Sequence, residues 1–312
     1  MGRQGTGTAP RLIRGLFALA IGLIGTPIVL VASVASSAAA IPANGIVEFP
    51  VTPVDAAPLS IVAGPDLGNM WFTQLNPYGT AAGNKIGRIT SDGVITQYAI
   101  PTPSAGAFGI TSDFIDSLYF VEQGGNNIGK ITTSGVVTEF AIPTPNAQPI
   151  GIVSGPDGNF WFTEYNTDKI GMMTSAGVFT EYALSPGARP TSITFGPDDA
   201  LWFTEPGANK IGKITTAGVI TEFDVPTAGA SPTAVAYNFS DGRLWFTEGI
   251  GNQIGTVTSA GVFEEFPIPT AASFPLGISA GPDADMWFTE QSGNKIGRIT
   301  PTGTITEYAV PS

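Results

Sequence analysis

The chain has 312 residues, a formal net charge of −12, no cysteine and no histidine. The missing cysteines exclude a disulfide framework, a thiolate nucleophile and a thiolate metal site. The acidic balance argues against nucleic acid or an anionic membrane surface as a partner, because both bind through lysine and arginine patches.

Residues 1–40 carry the pattern of an export signal. Arg3, Arg11 and Arg14 give a positive start, an apolar run follows over residues 16–34, and small residues at 36–40 provide a cleavage site. The apolar run also approaches membrane-spanning length, so an uncleaved N-terminal anchor is the alternative. We expect cleavage near Ala40, a secreted or cell-envelope location, and one domain over residues 41–312.

In the rest of the chain, a segment of forty-odd residues occurs six times with nearly the same sequence. The copies share a Trp-Phe-Thr core, with successive spacings of 48, 42, 41, 43 and 42 residues. A period of about 40–50 residues is typical of an array of identical supersecondary units. The first residues of these cores are Trp71, Tyr119 in place of tryptophan, Trp161, Trp202, Trp245 and Trp287.

Each copy divides into four short strand patterns. Trp161 and its neighbour Phe162 point to opposite faces of a strand, yet both are large and apolar, so both faces of the sheet must be covered. Short hairpin-linked strands with this period predict an all-β propeller of four-stranded blades. In the third copy the predicted strands are Pro149–Ser154, Asn159–Glu164, Lys169–Thr174 and Val178–Leu184.

The number of blades depends on one extra strand pattern, Gly45–Pro50, ahead of the first complete copy. We expect six blades, in a ring that closes by sharing this strand with the last copy. The alternative is seven blades with one incomplete, which would leave a strand edge exposed.

The stretch from Gly155 to Glu164 reads Gly-Pro-Asp-Gly-Asn-Phe-Trp-Phe-Thr-Glu, and other copies continue with Asn-Lys-Ile-Gly-Arg-Ile-Thr. Over residues 45–312 this repeat resembles the virginiamycin B lyase (streptogramin lyase) family. The resemblance implies a seven-bladed propeller that linearises a cyclic depsipeptide antibiotic by elimination with the help of Mg²⁺. It also implies histidines directly after the proline that opens the first strand of two adjacent repeats, one acting as the base. The implied Mg²⁺ ligands are the glutamate that ends Trp-Phe-Thr-Glu and a second glutamate just before the Pro-His step.

The chain departs from the family at these positions. General-base catalysis requires a titratable group within hydrogen-bond reach of the proton to be removed, and no post-proline residue here supplies one. The post-proline position holds Leu59, Phe108, Ile150, Thr191, Thr233 and Leu276. The position of the second glutamate, two residues earlier, holds Ala57, Gly106, Gln148, Arg189, Ser231 and Phe274.

The remaining candidates for the central mouth of the propeller are the strand-ending carboxylates, together with Gln148 and Arg189. A ring of carboxylates could bind a hard cation or raise the pKa of its members by like-charge repulsion. The alternative is structural: each glutamate caps a turn or pairs with a lysine five residues on, as in Glu164–Lys169. The strand-ending residues are Glu122, Glu164, Glu205, Glu248 and Glu290, with Gln74 in the first copy.

Two copies lack the lysine, because Asn127 follows Glu122 and Gln253 follows Glu248 at that spacing. Glu122 and Glu248 are therefore the metal-ligand candidates, with Mg²⁺ as the ion that the resemblance implies. Arg189 could hold a carboxylate or phosphate bidentately, or be an ordinary exposed arginine.

We expect a monomeric binding or scaffold module without the lyase chemistry, which takes a small-molecule or peptide ligand at its central mouth. One alternative is a lyase for cyclic depsipeptide antibiotics or related substrates that uses a metal-assisted glutamate site. A second is an envelope sensor that binds another protein.

Overall fold

The computed structural model describes residues 49–52, 57–75, 84–281 and 283–310. The predicted signal segment and most of the predicted strand Gly45–Pro50 lie outside these ranges. No helix in the described ranges is long and apolar enough to cross a membrane.

Six four-stranded antiparallel sheets follow one another along the chain, each with its strands in sequential order. This confirms the six-bladed, all-β propeller. Blades 1 to 3 contain β1 (Ala57–Ala63), β2 (Met70–Leu75), β3 (Lys85–Ile89), β4 (Ile95–Ala99), β5 (Ala107–Ser112), β6 (Ser117–Glu122), β7 (Asn127–Thr132), β8 (Val137–Ala141), β9 (Pro149–Ser154), β10 (Phe160–Glu164), β11 (Lys169–Met173) and β12 (Phe179–Ala183). Blades 4 to 6 contain β13 (Ile193–Phe195), β14 (Ala200–Glu205), β15 (Lys210–Thr215), β16 (Ile220–Asp224), β17 (Pro232–Asn238), β18 (Arg243–Glu248), β19 (Gln253–Val257), β20 (Phe263–Pro267), β21 (Pro275–Ala280), β22 (Met286–Glu290), β23 (Lys295–Ile299) and β24 (Ile305–Ala309).

The glycine of each Lys-Ile-Gly motif makes room for an aromatic ring of the neighbouring strand. In blade 3, Phe162 pairs with Gly171 across the sheet, and Glu181 follows on the outer strand. A Cβ added at Gly171 would lie 2.1 Å from the Phe162 ring. The repeat therefore needs glycine here, because the ring lies flat across the third strand.

The core lies between blades. Each blade has a Trp face, which in blade 3 carries Trp161 and Ile170, and a Phe face, which carries Phe160 and Phe162. The Trp face of blade 3 packs on the Phe face of blade 4, and the same arrangement recurs from blade 1 to blade 6. Five interfaces of one kind therefore hold the six blades together.

The threonine of Trp-Phe-Thr connects neighbouring inner strands. Thr163 Oγ1 accepts from Gly151 N at 2.9 Å within its own blade and donates to the Thr191 carbonyl of the next blade at 2.9 Å. Thr73, Thr204 and Thr247 make the same donation at 2.7–3.0 Å. Because these hydroxyls are fully buried, each satisfied bond contributes to blade packing.

The sixth junction differs. Thr289 accepts from Gly277 N at 3.0 Å, but among the described residues it makes no bond to the Leu59 carbonyl of blade 1. The inner strands β21 and β1 also lack the close packing that joins the other neighbouring inner strands in the described ranges. The predicted coverage of every blade on both faces therefore fails at this junction, where the described residues leave the ring open.

Candidate functional site

The inner strands of blades 1 to 4 line a small apolar pocket that is open to solvent. The positions where the family resemblance implies histidine contribute Leu59, Phe108 and Ile150 to its wall. None of the described residues that line it has a titratable side chain. This part of the channel is an apolar surface with two serine hydroxyls, from Ser60 and Ser192, rather than an acid–base site.

The two threonines at post-proline positions use their hydroxyls for packing. Thr191 Oγ1 donates to the Thr233 carbonyl at 2.9 Å, and Thr233 Oγ1 donates to the Ser231 carbonyl at 3.1 Å. A nucleophilic hydroxyl needs an adjacent general base, and neither of these donates to one. These two hydroxyls therefore stabilise the packing of the inner strands.

Gln148 lies directly before the inner strand of blade 3, and Arg189 lies in the segment that leads into β13 of blade 4. Both are exposed to solvent, with φ values of 50° and 51°. Ser231 and Phe274 have the same left-handed backbone in blades 5 and 6. The strain therefore belongs to the repeat rather than to one reactive residue. The Gln148 carbonyl accepts from Tyr165 N at 3.3 Å, so this position lies beside the end of the second strand.

The strand-ending glutamates lie on the Phe faces of their blades, and none of them is more than 2% exposed. Each has at least one buried oxygen without a hydrogen-bond partner. A buried carboxylate without partners is costly, so the protonation state of these groups needs a physical explanation. They are Glu122, Glu164, Glu205, Glu248 and Glu290.

The predicted pairing of these glutamates with the lysine five residues on is wrong. Lys169 Nζ lies 2.8 Å from Glu181 Oε2 on the outer strand, and it forms no ion pair with Glu164. The equivalent lysines also pair with the outer-strand glutamate: Lys210 with Glu222 at 3.0 Å and Lys295 with Glu307 at 2.9 Å. The lysine reaches the outer carboxylate because the two side chains lie diagonally on one face of neighbouring strands, where Lys169 pairs with Ala183 and Gly171 with Glu181.

In the two copies without lysine, an amide takes its place beside the inner acid. Asn127 Nδ2 donates to Glu122 Oε2 at 2.9 Å, and Gln253 Nε2 donates to Glu248 Oε2 at 3.3 Å. These interactions are neutral, so they compensate the burial of a charge less well than an ammonium group would.

Burial raises the pKa of all five inner glutamates. The pKa rises to about 8 for Glu122, Glu205 and Glu248 and to about 7 for Glu164 and Glu290. After burial, the nearby outer-strand glutamate is a further cause of the rise for each of these five residues. At neutral pH the carboxyls of Glu122, Glu205 and Glu248 therefore tend to keep their protons.

The outer carboxylates behave in the opposite way. Burial opposes ionisation of Glu181, but hydrogen bonds from Lys169 and Thr144 hold its pKa below the ordinary value. The pKa values of Glu222 and Glu307 are lowered in the same manner. Blades 3, 4 and 6 thus contain a pair of neighbouring acids whose pKa values are shifted in opposite directions.

A divalent cation of the kind that the resemblance implies does not fit these residues. Mg²⁺ prefers an octahedral set of ionised and neutral oxygens. Among the described residues no group of three or more carboxylates comes together, and Glu122 and Glu248 each have one carboxylate neighbour, Glu139 and Glu265. The metal hypothesis for Glu122 and Glu248 gains no support from this geometry and stays a prediction.

Comparisons with known proteins agree on one family. The model of the virginiamycin B lyase family matches residues 34–185 and 148–312. Virginiamycin B lyase from Staphylococcus aureus, in its selenomethionine form, superposes with a TM-score of 0.76 at 42% identity, over 82% of this chain and 85% of that one. No curated protein matches the chain significantly.

Two further solved structures extend the likeness. A catalytically inactive histidine-to-alanine variant of the Staphylococcus aureus lyase, in complex with quinupristin, has a TM-score of 0.78 at 42% identity over 84% of this chain and 87% of that one. A streptogramin B lyase has a TM-score of 0.78 at 39% identity over 85% and 86%. The chain belongs to the virginiamycin B lyase family.

Proposed function

We propose that this protein is an exported binding or scaffold propeller that lacks the lyase chemistry of its relatives. The observation that carries the proposal is the absence of histidine from all 312 residues. A variant of the Staphylococcus aureus relative in which alanine replaces one histidine is described as catalytically inactive. This chain has lost every such group.

The buried glutamates are poor replacements for the missing base. A general base must be ionised at the working pH, whereas burial raises the pKa of Glu122 and Glu248 to about 8. Each also has a neighbouring acid, and an amide donates to its Oε2. A glutamate-based lyase, the alternative, would gain activity as pH rises above 8 and would lose it in Glu122→Gln or Glu248→Gln.

The apolar channel indicates the kind of ligand. Leu59, Phe108 and Ile150 would contact apolar groups, while Ser60 and Ser192 offer hydroxyls to orient them. Pockets that are mostly apolar with a few polar groups suit small molecules and short peptides. We propose such a ligand at the central mouth.

The test is incubation with quinupristin and with virginiamycin B in the presence of Mg²⁺, beside the Staphylococcus aureus lyase as a positive control. Elimination linearises the antibiotic without changing its mass, whereas hydrolysis adds one water. Chromatography with fragmentation mass spectrometry therefore separates both outcomes from unreacted antibiotic. We expect only unreacted antibiotic, and an enzyme-dependent linear product would refute the proposal.

Export is tested separately. We propose cleavage near Ala40 and a mature domain over residues 41–312. Amino-terminal sequencing of protein from the culture medium or the envelope fraction should begin close to Ile41. Recovery of the intact N-terminus in the membrane fraction would instead support the uncleaved anchor.

A further inference from the structure

The exposed apolar side chains gather on one face of the propeller. This turn face is formed by the turns that join the first strand of a blade to the second and the third to the fourth, as residues 155–159 and 174–178 do in blade 3. The bond from Thr163 to the Thr191 carbonyl recurs at the same places in blades 1, 4 and 5, so these blades share one orientation. Ser154 Oγ donates to the equivalent Ser112 carbonyl between blades 3 and 2. Of the eleven large apolar side chains that are exposed in the described ranges, nine lie on the turn face.

Five of the nine are valines of the turns between the third and fourth strands. Each directly follows the turn glycine and is 60–62% exposed. Blade 6 has Thr304 at this place, also exposed, so the repeat folds without an apolar residue there. The valines therefore form an apolar margin that the fold does not require. They are Val94, Val136, Val178, Val219 and Val262.

The other four belong to turns between the first and second strands that depart from the repeat. Blades 3, 4 and 6 have a five-residue turn with Gly-Pro-Asp, and its described residues expose no large apolar side chain. The turns of blades 1 and 5 are one residue longer, and blade 2 has Phe-Ile in place of Pro-Asp. Each departure adds an apolar side chain that is 75–98% exposed: Leu67, Phe114, Ile115 and Phe239.

The blade 2 turn is held in a fixed shape. Asp113 Oδ1 accepts hydrogen bonds from the three backbone amides of residues 115–117 at 2.9–3.1 Å. Phe114 has a φ of 60°, a left-handed conformation that a bulky residue adopts only where its surroundings enforce it. The backbone thus spends conformational energy to hold Phe114 and Ile115 in solvent.

The blade 5 turn is fixed by aromatic contacts. The Phe239 ring lies 4.7 Å from that of Tyr237 and 6.3 Å from that of Phe195 in blade 4, measured between centroids. Phe195 and Tyr237 are half-buried, so they anchor the Phe239 ring while its outer side stays open. Grouped, exposed apolar side chains of this kind mark interaction sites on soluble proteins.

Negative charge is in surplus around these side chains. Each basic side chain near the turns pairs with a carboxylate or lies over an aromatic ring; they are Arg88, Lys130, Lys213, Arg243 and Arg298. Five aspartates of the same turns form no ion pair with any described residue: Asp92, Asp113, Asp116, Asp157 and Asp199. A partner that brings its own cations would therefore find carboxylates that are not already paired.

We propose that the turn face is a docking surface for a basic, apolar segment of another protein. Apolar side chains of the partner contact Leu67, Phe114, Ile115 and Phe239, and its lysines or arginines pair with the unpaired aspartates. Burial of the apolar side chains supplies most of the affinity, while the aspartates select the charge of the partner. None of these residues lines the channel pocket, so the surface is separate from the ligand site proposed above.

Other occupants fit the charges less well. The aspartates repel an anionic lipid surface, which attracts basic segments. A second copy of this chain has 25 acidic residues against 13 basic ones, and three of the basic ones, Arg3, Arg11 and Arg14, lie in the predicted export signal. It would bring further negative charge to a face that is already acidic.

The test uses three fluorescein-labelled peptides and the full chain. The first peptide combines leucine with lysine, the second has glutamate in place of each lysine, and the third has glycine in place of each leucine. Fluorescence anisotropy is measured at about 0.15 M salt, where charges more than about 8 Å apart are screened. We expect the leucine–lysine peptide to bind and the other two to bind at least about tenfold more weakly.

The triple variant Phe114→Ser, Ile115→Ser and Phe239→Ser should bind the leucine–lysine peptide about tenfold more weakly than the parent. Its thermal midpoint should be unchanged, because the three side chains are exposed. Ile250→Ser is the matched control, since Ile250 is equally exposed but lies in a turn between second and third strands, on the opposite face. It should leave the affinity unchanged.

A second variant tests the charges and leaves the apolar side chains in place. Asp92→Asn, Asp116→Asn and Asp199→Asn together should also weaken binding of the leucine–lysine peptide about tenfold. The proposal is overturned if this peptide does not bind, or if it binds the parent and both variants equally. It is also overturned if the chain binds phosphatidylcholine or phosphatidylglycerol vesicles through the three apolar residues, or forms a dimer that the serine variant dissociates.

Discussion

Lys169 Nζ lies 2.8 Å from Glu181 Oε2 on the outer strand, which leaves Glu164, the acid closer in sequence, without an ion pair. Gly171 pairs with Glu181 across the sheet, so Glu181 lies diagonally opposite Lys169 on the same face. The lysine thus stabilises the ionised outer acid, while burial raises the pKa of the inner acid, Glu164, to about 7. The same arrangement occurs in blades 4 and 6, and it has measurable consequences.

Stability should fall as the pH rises through the neutral range. The folded-state pKa values of Glu122, Glu205 and Glu248 are about 8, against an ordinary value of 4.5. Their contribution is complete below pH 4.5 and is lost as pH rises toward 8, because the unfolded chain releases the proton more readily. Urea unfolding at pH 5, 7 and 9 should give the highest free energy of unfolding at pH 5.

The outer acids set the lower limit of that window. Because the pKa values of Glu181, Glu222 and Glu307 are lowered, their contribution is present above pH 4.5 and is lost as pH falls through the folded-state values. A free energy of unfolding that is constant or rises between pH 5 and 9 would contradict the protonated state of the inner acids.

Glu205→Gln should flatten this pH dependence. Both carboxyl oxygens of Glu205 are buried without hydrogen-bond partners, and Gln74 shows that the repeat accepts an amide at this place. The variant should be more stable than the parent by about 1 kcal/mol at pH 9, since a neutral amide replaces a buried charge. Asp224→Asn, on the exposed outer strand, is the control and should leave the slope between pH 5 and 9 unchanged.

Thr247→Val and Thr289→Val form a matched pair. Both hydroxyls accept from an inner-strand amide at 3.0 Å, but only Thr247 donates to the next blade, at 2.8 Å to the Leu276 carbonyl. Thr247→Val should cost about 1 kcal/mol more than Thr289→Val by chemical denaturation, the usual value of one buried hydrogen bond. Equal costs would indicate that blades 6 and 1 are in fact joined.

Trp245→Ala and Trp287→Ala test the same junction through packing. Trp245 is fully buried between blades 5 and 6, so its truncation should cost about 3–5 kcal/mol. Trp287 is half-buried, and its truncation should cost about half as much. The comparison uses urea midpoints at one pH, and a cost at Trp287 equal to that at Trp245 would argue for a closed ring.

Much of the fold was predictable because each repeat contains the strand patterns and turn residues of its own hairpins. The predicted strands of the third copy agree with Pro149–Ser154, Phe160–Glu164, Lys169–Met173 and Phe179–Ala183 to within one residue at each end. Turn residues and alternating side chains act locally, so a single sequence reveals them.

The partner of each charge was not predictable in this way. Lys169 is five residues from Glu164 and 12 from Glu181, yet it pairs with the more distant acid. Strand pairing brings the outer strand back beside the third strand, so Lys169 and Glu181 lie on one face of neighbouring strands. The carboxyl pairs with opposite pKa shifts also depend on this contact, and a spacing rule could not reveal them.

The sequence by itself determined the repeat, the blade, the six complete copies and the loss of every histidine, because these follow from residue types and local periodicity. Only the tertiary structure decided which lysine meets which glutamate and that blades 6 and 1 do not pack as the other neighbours do. Both depend on which surfaces meet after folding. Since every copy carries a Trp face and a Phe face, the sequence alone predicts covered faces everywhere, and the ring geometry decides where one pair is left open.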